Sequence, residues 1–498
     1  MNGPEQQGAF FAFDNSYARL PGRFFARLDP TNVPAPKLVR VNHQLARMLG
    51  VDPEQLSSSE GVKILAGNQI AKGAESLAMA YAGHQFGGWV PQLGDGRAIL
   101  LGEVLGLDAV RYDVQLKGAG PTPFSRSGDG RAALGPVLRE YIVSEVMNAL
   151  GVRTTRALAI VTTGEEVIRE EMLPGAILTR VATSHVRVGT FQYFSARQDY
   201  EAVQILADYI ITRHYPHAAR AQNSYRALLD AVIKRQAELV ASWLHVGFIH
   251  GVMNTDNMSV AGETIDYGPC AFMDEYDRDT LFSSIDQMGR YAYGNQPRIA
   301  QWNLAQLAQS LLQLLGDDED EAIASAKQAI SDYTQIYDDA WLSGMRKKLG
   351  FAEAQQGDKA LIDELLDLMA QNHADFTLTF RRLSELAGEP GGADKAMGEL
   401  FRFPASLDDW LVQWRKRLLS EDSVDEIRIK SMKATNPAFI PRNHLVEEVI
   451  QAALTGDFHP FDKLMDVLAK PYDDQPNAAH FARPPRPDEV VRATFCGT

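Results

Sequence analysis

The spacing of hydrophobic and polar residues changes once along the chain, near residue 200. Between residues 81 and 190, short apolar runs alternate with glycine-rich turns, which is typical of an antiparallel or mixed sheet. One longer stretch, residues 131–150, has helical spacing and interrupts this pattern. The predicted strands cover residues 98–104, 110–118, 157–161, 165–170 and 176–182.

After residue 200, apolar residues recur every three to four positions, as on one face of an amphipathic helix. The predicted helices include residues 224–246, 302–315, 361–371 and 407–419. The fold class that we predict is therefore α/β, or α+β, with a small sheet-rich lobe before a larger helical lobe.

We expect four parts along the chain. They are an N-terminal extension (1–80), a sheet-rich N-lobe (81–195), a helical C-lobe (196–470) and a C-terminal tail (471–498). The tail is rich in proline and is expected to be loosely ordered.

Composition narrows the choice of partners. The formal net charge of -15 disfavours non-specific binding to nucleic acid or to anionic membranes. No apolar run is long enough to span a bilayer, and the first basic residue is Arg19, so no secretory or transit signal is evident. We expect a cytoplasmic monomer that binds neither nucleic acid nor membrane.

The chain has only two cysteines, Cys270 and Cys496, which lack the spacing of a metal site. They are either two unrelated reduced thiols or a pair whose bond would tether the tail to the segment around residue 270. The residues alone favour the first interpretation.

A motif in the second half of the chain resembles the catalytic segments of protein kinases. In FIHGVMNTDN, His250 and Asn257 match the kinase loop H-R-D-x-x-x-x-N, and Asp266 opens a D-Y-G that matches D-F-G. Val252 stands where a kinase has its catalytic aspartate. Because valine cannot accept a proton, any catalytic base has to lie elsewhere, and the nearest carboxylate is Asp256.

The sheet-rich part contains the phosphate-binding elements of a kinase in the same order. The alternation in residues 110–117 places Lys117 on the polar face of a strand, and Glu140 lies on a helix face that is not plainly exposed to solvent. A strand lysine paired with a helix glutamate is how kinases hold nucleotide phosphates. Gly94 and Gly96 would let backbone N–H groups approach an anion, beside the charge of Arg97.

Further residues point to a polyphosphate ligand. Asp129 and Gly130 precede the predicted helix and are either its N-cap or a phosphate or ribose contact. Arg180 and Arg187 end the sheet-rich part and add positive charge to the predicted cleft. Asn257 and Asp266 are the expected Mg²⁺ ligands, and His250 is expected to brace its loop.

The ordered set of motifs predicts a protein-kinase-like bilobal fold. Three functions remain open at this point: a transferase whose nucleophile attacks away from the γ-phosphate, a phosphotransferase with a relocated base, and a catalytically dead pseudokinase that binds ATP as a scaffold. A scaffold has no need of a complete metal site, which weakens the last alternative.

The chain resembles the selenoprotein O family of protein adenylyltransferases over its whole length. The matching strings are long: residues 81–98, 115–135, 250–259 and 265–274. The resemblance implies a kinase-like fold that binds ATP in a flipped orientation and transfers AMP to Ser, Thr or Tyr hydroxyls of proteins, with Mg²⁺ or Mn²⁺.

Carried over by position, the resemblance implies a role for each site residue. Asp256 would be the proton acceptor, Asn257 and Asp266 the metal ligands, and Glu140 the partner of Lys117. It also implies a redox role for Cys496, since some members carry selenocysteine in this region, and it favours a Cys270–Cys496 disulfide as a switch. The residues expected to contact the nucleotide are Gly94, Gly96, Arg97, Lys117, Asp129, Gly130, Arg180 and Arg187.

Overall fold

The computed structural model describes residues 10–388 and 391–495. It confirms the predicted fold class, because an antiparallel sheet fills the first part of the chain and helices fill the second. We call residues 10–182 the sheet region and residues 188–495 the helical region. Within the described residues, no helix is both long enough and apolar enough to cross a membrane.

The main sheet has eight strands in the order β1-β3-β6-β7-β10-β9-β2, with β8 also paired to β10. Two two-stranded sheets, β4 with β5 and β11 with β12, lie outside it. The strands are β1 (Phe25–Arg27), β2 (Lys37–Val41), β3 (Leu77–Met79), β4 (Gly83–Gln85), β5 (Gly88–Val90), β6 (Ala98–Leu105), β7 (Arg111–Lys117), β8 (Ala132–Ala133), β9 (Arg156–Ile168), β10 (Met172–Ala182), β11 (Phe248–Ile249) and β12 (Ala271–Phe272).

The helices in the sheet region are few, and those after residue 188 make up most of the remaining chain. They are α1 (His43–Met48), α2 (Pro53–Ser57), α3 (Ser59–Leu65), α4 (Leu134–Ala149), α5 (Val188–Ser195), α6 (Tyr200–His214), α7 (Ser224–His245), α8 (Gln296–Ser310), α9 (Glu319–Lys348), α10 (Asp358–Asn372), α11 (Phe376–Leu383), α12 (Gly392–Gly398), α13 (Ala405–Leu418), α14 (Asp425–Thr435), α15 (Asn443–Leu454), α16 (His459–Leu468) and α17 (Ala479–Ala482).

Several predicted element boundaries are wrong, and two of them change the description of an element. The strands predicted at 157–161 and 165–170 are one strand, β9, and Gly164 at φ 76° lies in a bulge of that strand instead of in a turn. Helix α4 begins at Leu134 instead of residue 131, because residues 132–133 pair with β10 as β8.

The sheet is covered on both faces. Leu45, Leu56 and Ile64, from α1 to α3, share one buried cluster with Val114 and Leu116 of β7. Helix α4 covers the other face within a second, larger cluster that continues into the helical region. Burial of each such side chain contributes about 1.5–3 kcal/mol.

The ends of the chain pack against the rest of the protein. Strands β1 to β3 of the predicted N-terminal extension belong to the main sheet, although the domain boundary at residue 80 itself stays a prediction. The described part of the tail is not loose: the Tyr472 hydroxyl donates to the Leu150 carbonyl (2.9 Å), and the Thr494 hydroxyl donates to the Pro269 carbonyl (2.6 Å). The tail therefore lies against the segment that follows Asp266.

Candidate active site

A cavity of about 440 Å³ lies between the sheet region and the loop after β11. All the residues predicted to bind the nucleotide or the metal line it, together with Asp256. Glu140 lies behind Lys117, with which it forms an ion pair. The lining residues foreseen from the sequence are Gly94, Gly96, Arg97, Lys117, Asp129, Gly130, Arg180, Arg187, Asp256, Asn257 and Asp266.

Strand pairing explains how Lys117 and Arg180 come together. Lys117, at the end of the polar face of β7, lines the cleft, and antiparallel pairing places Arg180 of β10 opposite Gln115 of β7. The guanidinium of Arg180 donates to Gln115 Oε1 (2.6 and 3.1 Å) and to Glu140 Oε1 (3.2 Å). Glu140 thus connects both cations to α4.

Asp266 is surrounded by three cations. Arg180 Nη1 lies 2.5 Å from Oδ1, Lys117 Nζ lies 3.5 Å from the same oxygen, and Arg187 contacts Oδ2. Burial alone would raise the pKa of Asp266, but the charges of Arg187, Arg180 and Lys117 outweigh it and hold this pKa well below its usual range. These three cations therefore favour the ionised form of Asp266.

Arg187 joins the two sides of the cleft. It precedes α5 and is buried, and its Nη1 also donates to the backbone carbonyl of Asp256 (2.6 Å). Its guanidinium lies 4.7 Å from the centre of the Tyr81 ring and 3.9 Å from Asp95 Oδ1. Arg187 thus connects the segments that carry Asp256 and Asp266 to the sheet region.

Asp256 lies in a different environment. It is buried, and its carboxylate forms no ion pair with any residue that the structure describes. Gln85 Nε2 donates to Oδ2 over 3.3 Å, and Oδ1 accepts no hydrogen bond from the described residues. Burial raises the pKa of Asp256 to about 6.

The remaining loop residues support these two carboxylates. The Asn257 amide nitrogen donates to the Val252 carbonyl (3.0 Å), which leaves the amide oxygen as the atom that can bind a cation. Val252 lines the cavity with its apolar side chain. His250 braces the loop as predicted: its Nε2 lies 2.9 Å from the Ile265 carbonyl, and its Nδ1 lies 3.4 Å from the Val252 N–H.

Close packing accounts for glycine at positions 94 and 96. A Cβ at Gly94 would lie 2.4 Å from the Phe124 ring, and one at Gly96 would lie 2.9 Å from the Phe124 carbonyl oxygen. The turn therefore needs glycine to accept the neighbouring loop, whatever its backbone binds.

Asp129 does not cap α4. Ala133 is the N-cap residue of that helix, while the Asp129 carboxylate accepts from the Arg131 N–H (2.9 Å) and from both Arg169 Nη atoms (2.8 and 3.2 Å). The N-cap alternative is thus wrong. Asp129 remains at the cleft as an acidic group held by Arg169.

Sequence reasoning missed several residues of the cleft. Some lie inside the strings that carry the family resemblance, so those strings could have revealed them, whereas Arg169 comes from the turn between β9 and β10 and has no local signal. The missed lining residues include Tyr81, Gln85, Asp95, Arg126, Arg131 and Arg169.

Two further predictions from the sequence, the metal site and the disulfide, are not tested by the described residues. Among the residues that the structure describes, no group of three or more His, Cys, Asp or Glu side chains could hold a metal ion. The predicted pair of Asn257 and Asp266 is a smaller set, so this finding leaves it untested. Cys270 is buried, and Cys496 lies outside the described residues, so their disulfide stays a prediction.

The chain is similar to one family of known proteins over most of its length. The family model described as "Protein adenylyltransferase SelO" matches residues 9–469. A protein nucleotidyltransferase YdiU of Methylorubrum extorquens is 62% identical over 496 residues, which cover 98% of this chain and 100% of the relative. The protein of the same name from Rhizobium johnstonii is 60% identical over 492 residues, or 99% of this chain and 98% of the relative. This chain belongs to the SelO family of protein adenylyltransferases.

Proposed function

We propose that this protein transfers AMP from ATP to a hydroxyl group of a protein substrate and that Asp256 accepts the hydroxyl proton. Membership in an adenylyltransferase family implies ATP as the substrate. One observation carries the proposal: the cleft contains Asp256, a buried carboxylate that forms no ion pair among the described residues, and Asp266, a carboxylate held by three cations. Val252 occupies the position of a kinase base, so Asp256 is the remaining loop carboxylate that can take a proton.

The proposed reaction exchanges one bond at the α-phosphorus for another. The hydroxyl oxygen of a Ser, Thr or Tyr side chain forms a bond to this phosphorus, and the hydroxyl proton passes to Asp256. The bond from the phosphorus to the bridging oxygen breaks, and diphosphate leaves with the electron pair. The products are an AMP-modified protein and diphosphate.

The cations of the cleft suit a triphosphate. Lys117, Arg180 and Arg187 lie within one cavity, and two of them carry guanidinium groups that can bind phosphate oxygens through two parallel hydrogen bonds. Donors fixed in place before substrate binds stabilise charge that develops on phosphate oxygens during transfer. Glu140 keeps Lys117 and Arg180 in position.

Asn257 and Asp266 would hold the metal ion. Both offer oxygen, the donor that Mg²⁺ prefers and that Mn²⁺ also accepts, and the low pKa of Asp266 keeps its carboxylate ionised. Two protein ligands are enough when phosphate oxygens and water complete the set. When bound, the ion neutralises negative charge on the phosphates.

Labelled ATP tests the proposal. The wild type, Asp256→Ala and the control Asp363→Ala, which changes an exposed carboxylate paired with Lys359, are incubated with Mg²⁺ and ATP labelled on the α- or the γ-phosphate. We expect the α label on protein in the wild type and the control, and a loss of about 10²–10⁴-fold in Asp256→Ala. Transfer of the γ label alone would establish a phosphotransferase instead, and tight ATP binding without any transfer would establish a scaffold.

A further inference from the structure

The hairpin formed by β4 and β5 lies directly against the loop that carries Asp256. The backbone N–H of His84 donates to Thr255 Oγ1 (2.7 Å), and the N–H of Phe86 donates to Asn254 Oδ1 (3.0 Å). These two bonds flank Gln85. They fix the backbone of Gln85 relative to the loop, although the two segments are 171 residues apart in sequence.

Close approach at Gly83 brings the hairpin against Asp256 itself. A Cβ at Gly83 would lie 2.5 Å from Asp256 Oδ1 and 3.0 Å from its Cβ. A Cβ contact of 2.5 Å is essentially never found in proteins, so a side chain at residue 83 would force Asp256 or the hairpin to shift. The hairpin thus bounds the carboxylate on one side by packing.

Gln85 supplies the one side-chain hydrogen bond to this carboxylate among the described residues, from Nε2 to Oδ2 over 3.3 Å. The torsion that rotates an Asp carboxylate is broad, so packing alone does not fix the direction of its oxygens. A single donor at one oxygen restricts this rotation. Because the amide is neutral, it orients the carboxylate without placing a positive charge beside it, whereas cations surround Asp266.

We infer that Gln85 is a positioning residue for Asp256: its amide holds one carboxylate oxygen and so sets where the other can meet the attacking hydroxyl. The inference rests on the proposed function, in which Asp256 accepts the proton of that hydroxyl. Gln85 acts through Asp256, and the hairpin contacts at His84 and Phe86 hold Gln85 in place.

The test compares Gln85→Met, which keeps the side-chain length but cannot donate, with Gln85→Ala. The control is Gln69→Met, since the Gln69 amide donates to the Glu60 carboxylate (3.0 Å) at an exposed site. We expect kcat for AMP transfer to fall about 10–100-fold in both Gln85 variants, as when a supporting hydrogen bond to an active-site group is lost. The KM values for ATP and for the protein substrate should stay near those of the wild type, as should the thermal unfolding midpoint.

Each other result of these experiments leads to a different conclusion. A wild-type kcat in Gln85→Met would show that the volume of the side chain matters and its hydrogen bond does not. A raised KM for ATP at unchanged kcat would make Gln85 a nucleotide contact. Either result overturns the inference. If the wild type transfers the α label, Asp256→Ala does not and Gln85→Ala is as fast as the wild type, only the positioning inference fails. If the wild type transfers no α label, the proposed function fails first.

Gly83→Ala provides a second, independent perturbation of the same carboxylate. The added Cβ has to displace Asp256 or the hairpin, so we expect a comparable loss of kcat while the KM for ATP is retained. Unchanged kcat in a folded Gly83→Ala protein would contradict the idea that the hairpin fixes Asp256.

Discussion

Asp256 and Asp266 line the same cavity, yet their surroundings differ. Asp266 is held by Lys117, Arg180 and Arg187, whereas among the described residues the Asp256 carboxylate has one side-chain donor, the neutral amide of Gln85. The pKa of Asp266 is held below its usual range by these charges, and burial raises the pKa of Asp256 to about 6. In the proposed reaction, one residue type therefore serves as an anion on one side of the cleft and as the proton acceptor on the other.

The surroundings of Asp256 and Asp266 differ because different elements of the fold pack against each carboxylate. The pairing of β7 with β10 brings Lys117 and Arg180 together beside Asp266, and the start of α5 adds Arg187. The side chain of Asp256 is bounded by a separate hairpin, β4 with β5, which presents backbone and a neutral amide, while Arg187 donates to the backbone carbonyl of Asp256. Charge placement follows from the sheet, and carboxylate orientation follows from the hairpin.

The largest expected effect is on stability at Asp266. Asp266→Asn would leave Arg180 and Arg187 buried without their shared anion, so we expect the free energy of unfolding to fall by about 3–5 kcal/mol. Asp256→Asn removes a buried carboxylate that forms no ion pair within residues 10–388 and 391–495, so the stability of this variant should match or exceed that of the wild type. Urea denaturation of both variants without nucleotide measures the contrast. Equal losses in the two variants would show that the two environments are energetically alike.

A buried lysine in the helical region, Lys348, is a further group whose pKa is shifted by burial. Lys348 is buried and lies 4.2 Å from the centre of the Phe380 ring, and burial lowers its pKa to about 7. In the unfolded chain a lysine titrates near pH 10.4, so between about pH 7 and 10 the unfolded state binds a proton that the folded state does not. Stability of the wild type therefore falls as the pH drops through this range.

Lys348→Met removes that proton linkage. We expect the variant to be more stable than the wild type by about 1–3 kcal/mol at pH 7, with the advantage shrinking as the pH rises toward 10. Denaturation curves at pH 7, 8.5 and 10 provide the measurement. An advantage that stays constant over this range would mean that Lys348 is charged in the folded protein throughout.

The smallest expected effect is at Asp129. Its ion pair with Arg169 is partly open to solvent, with the Asp129 side chain 46% exposed. Arg169→Gln should therefore change the free energy of unfolding by less than about 1 kcal/mol. In the same Arg169→Gln variant, the KM for ATP should rise by less than about tenfold if Asp129 contacts the nucleotide. A tenfold change in affinity corresponds to about 1.4 kcal/mol, which is more than an exposed ion pair contributes. A stability loss as large as that of Asp266→Asn would contradict the distinction between exposed and buried pairs.

Much of the fold could be predicted from local pattern. The alternation along β7 placed Asp113, Gln115 and Lys117 on one face, and the structure places all three in polar contacts. The split of β9 was wrong because a glycine marks a turn and a bulge equally well, and only the partner strand β10 decides between them. The start of α4 shifted for the same reason, since β8 pairs with β10.

The sequence by itself determined the identities and order of the cleft residues, the change from strand to helix spacing, and the membership in the family. Only the tertiary structure decided which neighbour each carboxylate has: Gln85 for Asp256, Arg169 for Asp129 and three cations for Asp266. Hydrophobic spacing reports the face on which a side chain lies within its own element. It carries no information about contacts such as Gln85 to Asp256, which join segments 171 residues apart.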